Sequence, residues 1–269
     1  MPSIKAQSNK MERSAVLQSF DAIALPEMDH VKLLRRNDTK YLLREDQLLQ
    51  ALAQLTDHYR ILEIEGRRLQ HYQTLYFDTW DWALYRQHHD GWRNRYKVRK
   101  RSYVDSDLSF LEIKHKVDAR TTIKRRVPSQ GWSAQIAPAA EPFLHEHYPY
   151  RAEELEPKLG NTFQRITLVS TERIERVTID LDLCLVCNNA QVQLDGIAVA
   201  EVKQDHFSID SEFVQQMRLQ GVRAMRFSKY CIGVSVLHPE IKHNRFKPQL
   251  RRIDQLGQKR ILCQTGSSQ

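Results

Sequence analysis

Residues 92–103, WRNRYKVRKRSY, restrict what this chain can fold into more than any other stretch. Arg93, Arg95, Lys97, Arg99 and Arg101 all occupy odd positions, with Tyr103 in phase. Trp92, Asn94, Tyr96 and Val98 fill the even positions, with Lys100 the exception. A helix would scatter these cations around its axis, whereas a β-strand, with its period of two, places all five on one face. The alternation therefore predicts a strand. Cations packed side by side repel one another unless something anionic faces them. Taken alone, the stretch also fits an edge strand studded with cations against aggregation.

Recurrence of the pattern separates these readings. In residues 35–44, Arg36, Asp38 and Lys40 alternate with Asn37, Thr39 and Tyr41. Glu112, Lys114 and Lys116 share a face of 108–117, opposite Leu111 and Ile113. Lys124 and Arg126 share a side of 120–127, which Pro128 ends. Arg165 marks 161–169, and in 174–185 Arg176, Thr178, Asp180 and Asp182 face one way. Glu201 and Lys203 do the same in 196–203. With 69–79, which ends at the turn-prone Asp78, this gives about eight strands. Leucines at 48, 49, 52 and 55 predict a helix over 46–59, and 210–220 reads as another. Residues 81–90 read as a short helix or loop, and 129–159 as a helix-leaning insertion with prolines at 138, 142, 149 and 157. The expected division is an N-terminal arm or helix over 1–28, whose short amphipathic stretch around Ala15, Val16, Leu17 and Phe20 suits a helix packed on the outside of the domain, one domain over 29–240, and a basic, flexible tail over 241–269.

Two architectures satisfy strands with one apolar and one charged face. One is an open antiparallel sheet with its charged face in water. The other is α+β: an antiparallel barrel whose lumen is lined by Arg, Lys and a few carboxylates, with helices packed outside. Such a lumen must hold water, paired carboxylates or a polyanion, because desolvated cations without partners are costly. The net charge of +8 points to an acidic partner: nucleic acid, nucleotide, polyphosphate or a membrane surface. The first 20 residues contain no apolar leader segment, and no run approaches the roughly 18 apolar residues of a spanning helix, so the expectation is a soluble cytoplasmic protein. Cys184 and Cys187 fall on opposite faces of a predicted strand, which argues for reduced thiols over a zinc site with converging ligands. The cluster His145, Glu146, His147 reads as a loop or helix end, and Trp92 and Tyr96 as outer-face core.

Taken in order, RRNDTKYL at 35–42, YFDT at 76–79, KVRKRSY at 97–103, FLEIKHK at 110–116, TIKRR at 122–126, ERVTID at 175–180, AEVK at 200–203 and FSKY at 227–230 resemble the polyphosphate polymerase domain of the vacuolar transporter chaperone (VTC) type, in the triphosphate tunnel metalloenzyme (CYTH-like) superfamily. The resemblance implies a barrel tunnel that binds a nucleoside triphosphate and a divalent metal, Mn²⁺ or Mg²⁺. It also implies transfer of the terminal phosphoryl group, from ATP first of all, onto a growing polyphosphate chain. Carried over by motif, Lys40, Arg99, Arg101 and Lys114 are the catalytic cations, and Glu201 is the metal-binding carboxylate. Arg36, Lys97, Lys124, Arg126, Arg165, Arg176, Lys203 and Lys229 are the further phosphate and nucleotide contacts. Phosphoryl transfer depends on positioning and charge neutralisation more than on covalent help, which suits such a set.

Two departures accompany the resemblance. Related hydrolases and cyclases carry an ExExK signature on the first strand, where this chain has Arg36-x-Asp38-x-Lys40. A cation in place of a ligand carboxylate favours holding a chain over metal-rich hydrolysis. The stretch also lacks counterparts of the regulatory and membrane-spanning parts of the eukaryotic polymerase, so coupling to transport either needs a separate membrane protein or is absent; the expected location is cytoplasmic, free or peripheral to the inner face of the membrane. The competing readings are a triphosphatase or polyphosphatase using the same tunnel and a non-catalytic polyphosphate-binding module. Nucleic acid fits one-sided ladders less well than a confined linear polyanion.

Overall fold

The computed structural model describes residues 4–31, 37–118, 121–129, 131, 133–187 and 190–263. Arg36, which the sequence pattern singles out, lies outside the described residues, as do Arg120, 1–3 and 264–269. In chain order the elements are α1 (Ile4–Gln18), β1 (Asp21–Ile23), β2 (Asn37–Arg44), α2 (Glu45–Ala53), β3 (Tyr59–Leu62), β4 (Gln70–Asp78), α3 (Ala83–Asp90), β5 (Arg95–Tyr103), β6 (Leu108–Lys116), β7 (Thr122–Pro128), α4 (Glu141–His147), β8 (Glu156–Ser170), β9 (Glu175–Cys187), β10 (Ala190–Asp195), β11 (Ile197–Gln204), α5 (Glu212–Leu219), α6 (Lys229–Leu237), α7 (Lys247–Leu256) and β12 (Gln258–Cys263).

An α+β fold results. Eight strands pair antiparallel in the order β2-β11-β9-β8-β4-β5-β6-β7. The two longest strands, β8 and β9, each serve two partners along one edge. β8 pairs with β4 and then β3, which carries the parallel β1, while β9 pairs with β11 and with β10, which carries β12. Period two then sorts the side chains. On the outer face Tyr41, Leu43, Ile166, Leu168, Val177, Ile179, Ala200 and Val202 form a core with Leu17 and Phe20, with Leu48 and Leu52 of α2, and with Phe213 and Met217 of α5. A second outer core joins Phe77, Tyr96, Val98, Leu111 and Ile113 to Leu84 of α3 and Leu144 of α4.

Several expectations change. The N-terminal helix α1 packs on the outside of the domain, where Arg13 is buried and ion-paired to Glu45 and Asp182, at 3.2 and 2.9 Å. β8 begins five residues before 161, at Glu156, and Pro157 is accommodated where the β4–β8 register shifts. Asp182 does not share the face of Asp180. It has a positive φ of 52° at an irregularity in the β8–β9 pairing, which turns it out to Arg13 and turns Leu183 and Leu185 inward. The chain after Pro239 is not frayed through 263, because Ile253 and Leu256 of α7 are buried and β12 pairs with β10. Trp92 precedes β5 and is 55% exposed, so it is not core, whereas Tyr96 is. Asp78 is more than a turn residue: it is fully buried and accepts hydrogen bonds from the amides of Thr79, Leu84 and Tyr85, each at 2.8 Å, and from the Tyr230 hydroxyl.

Not every helix lies outside. α6 and α7 pack on the inner face, where Ile232, Ile253 and Leu256 join Leu42, Phe163, Leu183, Leu185 and Val199. The inner face is thus apolar toward one end of β2, β11 and β9, and the charged positions lie on its remainder together with Tyr72.

Candidate functional site: a charged inner face

The register brings the charged positions of successive strands side by side. Across β5, β6 and β7, Lys97 lies opposite Lys114 and Lys114 opposite Lys124. In the next row Arg99 faces Glu112 and Glu112 faces Arg126. On the other flank Lys40 faces Glu201, Asp38 faces Lys203, and Lys203 faces Arg176. Arg165 faces Asp180 across β8 and β9. Lys229, at the start of α6, is ion-paired to Asp180, and Lys97 Nζ donates to Ser228 Oγ at 2.9 Å. Every carried-over strand residue among the described ones therefore lies on this face, and Lys229 reaches it from the start of α6.

Three carboxylates hold the face together. Glu112 is fully buried, accepts from Arg99 Nε at 2.7 Å, pairs with Lys124, and has Arg101 at 4.0 Å. Burial alone would raise its carboxyl, but Arg99, Arg101 and Lys124 hold it down to about 2. Asp180 receives Arg165 in a two-pronged contact, at 2.6 and 2.8 Å, as well as Lys229. Burial opposes its charge, and these cations keep it well below the usual carboxylate range. Glu201 accepts from Lys40 at 2.8 Å and lies 3.3 Å from Lys203, and it too is held well below its ordinary value against burial. Asp180 lay in phase with Arg176 and was legible as part of this set. Its role as the counter-ion of Arg165 required the register.

The cations show the strain of this crowding. Burial, then like charges that include Lys97, pushes Lys114 down to about 8. Burial also brings Lys124 and Lys203 to about 8, although Lys124 is 41% exposed at its side chain and better screened. Tyr76 was not anticipated. It lies opposite Arg99, and although burial would raise its hydroxyl, Arg99, Arg101, Lys97 and Lys229 hold it below its ordinary value. Asn161 was also missed: it is 1% exposed, lies opposite Thr74, and neither its Oδ1 nor its Nδ2 has a hydrogen-bond partner. A buried amide of that kind calls for a water or a ligand atom.

Lys114, on β6, feels the charges of Glu201 on β11 and Lys40 on β2. Five strand spacings separate β6 from β11, which in a flat sheet at about 4.8 Å each would be about 24 Å. The sheet therefore wraps around its charged face.

Among the described residues, no group of three His, Cys, Asp or Glu is placed to hold a metal ion. Glu201 offers one carboxylate, already engaged by two lysines. That donor set fits an ion shared with phosphate oxygens and does not fit one held by the protein alone. Cys184 and Cys187 are free thiols, and His145 and His147 lie in the last turn of α4. The two histidines border a cleft of about 210 Å³ on the outer side of β6 and β7, away from the charged face.

The sequence profile of the VTC domain matches residues 35–238. The chain belongs to the VTC domain family. No curated protein sequence matches it. Solved structures resemble it loosely. A conserved hypothetical protein from Pyrococcus furiosus is 9% identical, covering 73% of this chain and 99% of its own, with a TM-score of 0.44. A putative adenylate cyclase from Bacillus halodurans is 12% identical, covering 72% and 96%, with a TM-score of 0.43. A putative adenylyl cyclase from Hippeastrum, described as having a dominant triphosphatase activity, is 13% identical, covering 75% and 96%, with a TM-score of 0.40. Likenesses this loose say nothing of what the chain does. No helix among the described residues is long and apolar enough to cross a membrane.

Proposed function

We propose that this VTC domain is a polyphosphate polymerase: it moves the terminal phosphoryl group of a nucleoside triphosphate, ATP first of all, onto a polyphosphate chain held in a basic tunnel. The observation that carries the reading is the row Lys97–Lys114–Lys124 beside Arg99–Glu112–Arg126 on a sheet that wraps around them. Like charges directly opposite one another destabilise a sheet, so the lysine row makes sense when a polyanion bridges it. The wrap supports closure of the eight strands into a tunnel, with α6 entering from one side.

In this reading Arg99, Arg101 and Arg165 grip phosphate oxygens in forked contacts, and Lys40, Lys97, Lys114, Lys124, Lys203 and Lys229 act as point charges. Arg126 and Arg176 extend the grip along the chain. The cations align a chain-terminal oxygen with the terminal phosphorus. A new P–O bond forms there as the bond to the nucleoside diphosphate breaks, and the diphosphate leaves. Glu201 is the carboxylate assigned to a divalent ion, Mn²⁺ or Mg²⁺, which would neutralise phosphate charge when bound. Hydrolysis is the second reading, and the carboxylates of this face disfavour it, since Glu112, Asp180 and Glu201 are already committed to cations and Asp38 lies opposite Lys203.

Purified protein incubated with ATP and Mn²⁺ should give a ladder of polyphosphate on a gel. Arg99→Ala and Lys114→Ala should each lower synthesis at least a hundredfold while the far-ultraviolet spectrum stays native. Orthophosphate without chain growth would identify a hydrolase. Normal synthesis by both variants would refute the assignment of this face.

A further inference from the structure

Beside the cation rows runs an aromatic strip that phosphate binding does not explain. Phe163 on β8, Tyr72 on β4, Tyr103 on β5 and Phe110 on β6 lie on adjacent strands of the inner face. Phe163 stacks on Tyr72 at 5.1 Å and 11°, Tyr72 meets Tyr103 at 5.0 Å, and Tyr103 meets Phe110 edge-on at 6.0 Å. Phe163 is buried, while Tyr72, Tyr103 and Phe110 are partly open to solvent. Guanidinium groups flank the strip: Arg165 lies 4.9 Å from the Tyr72 ring centre, Arg101 lies 5.8 Å from it, and Arg126 lies 4.5 Å from that of Phe110. A polyphosphate chain has no use for partly open rings. A molecule with an anionic tail and a flat, apolar head uses both features, its tail on Arg101 and Arg99 and its head against the rings.

We propose that this strip seats the nucleoside of a nucleoside triphosphate, with the base stacking on Tyr103. The inference rests on the phosphate-binding reading of the inner face and adds the position of the base. Stacking tolerates any base, so the seat separates nucleotides from bare polyphosphate and favours purines by their larger ring area.

Calorimetric titration of the full chain with ATP and with tripolyphosphate tests it. Tripolyphosphate carries the higher charge, so electrostatics alone would make it the tighter ligand. With a base seat, ATP binds about tenfold more tightly. Tyr103→Leu should then weaken ATP about tenfold and leave tripolyphosphate unchanged, and Tyr103→Phe, which keeps the ring, should behave as wild type. ATP no tighter than tripolyphosphate in the wild type, or equal weakening of both ligands by Tyr103→Leu, overturns the seat while the phosphate reading stands. If neither anion binds the wild-type chain, the phosphate reading fails and the seat falls with it.

Discussion

Glu112 and Lys114 are two positions apart on one strand face and illustrate opposite electrostatic conditions. Glu112 is outnumbered by cations and stays ionised at any ordinary pH, its carboxyl held at about 2. Its stabilising effect is full above the unfolded carboxylate range near pH 4.3 and fades as pH falls toward 2. Lys114 is itself surrounded by cations and, once buried, is pushed down to about 8. An unfolded lysine titrates near 10.4, so between about pH 8 and 10.4 the unfolded chain binds more protons than the folded one. Folding stability therefore rises with pH in that window as Lys114, and Lys203 with it, sheds its charge. Anion affinity moves the other way, because the charges that destabilise the empty face are those that bind phosphate. Denaturant melts and tripolyphosphate titrations at pH 7.5 and 9.5 should show a higher unfolding midpoint and an affinity at least fivefold lower at the higher pH. In Lys114→Met both changes should shrink. An affinity indifferent to pH would mean that these lysines do not touch the anion.

At the scale of elements, what the sequence made legible followed period two. The ladder on β5 and the phases of β2, β6, β7 and β11 were readable because each side chain announces its face by parity, and outer-face residues such as Val98 and Ile113 followed from the same count. Parity fails where a strand slips. The irregularity at Asp182 switches Leu183 and Leu185 to the inner face, and no local signal in DLDLCLV marks it. The short strands β1, β3, β10 and β12 were missed because their patterns are brief and depend on edges that β8 and β9 expose. Aromatic residues far apart in sequence gave no hint that Tyr72, Tyr103, Phe110 and Phe163 would meet. α7 reads as basic and polar, yet Ile253 is fully buried against the inner apolar end. Ile253→Ala should lower unfolding free energy by about 2–4 kcal/mol. A loss under about 0.5 kcal/mol, the range of surface substitutions, would show that this helix is dispensable to the fold.

At the scale of the whole molecule, the question is whether the charged face is a passage or a surface. The charges of Glu201 and Lys40 act on Lys114 from the opposite flank of the sheet, and the apolar packing of α6 and α7 covers part of the inner face. A linear polyanion can lie on an open sheet anywhere along its length. It can enter a closed passage, or a cup sealed at one side, only by an end. Polyphosphate of several tens of units, blocked at both termini with a bulky group, separates the cases without reference to turnover. An enclosed face predicts that chains blocked at both ends bind at least tenfold more weakly than unblocked chains, and that chains blocked at one end keep most of their affinity. Equal binding of all three would mean that the flanks stay apart and the face is an open groove. The phosphate contacts would remain, but a polymerase that threads its product would not. The same titration in high salt guards against a false positive, because loose adsorption to surface lysines is screened within about a Debye length and disappears, whereas chains held between facing strands are screened much less.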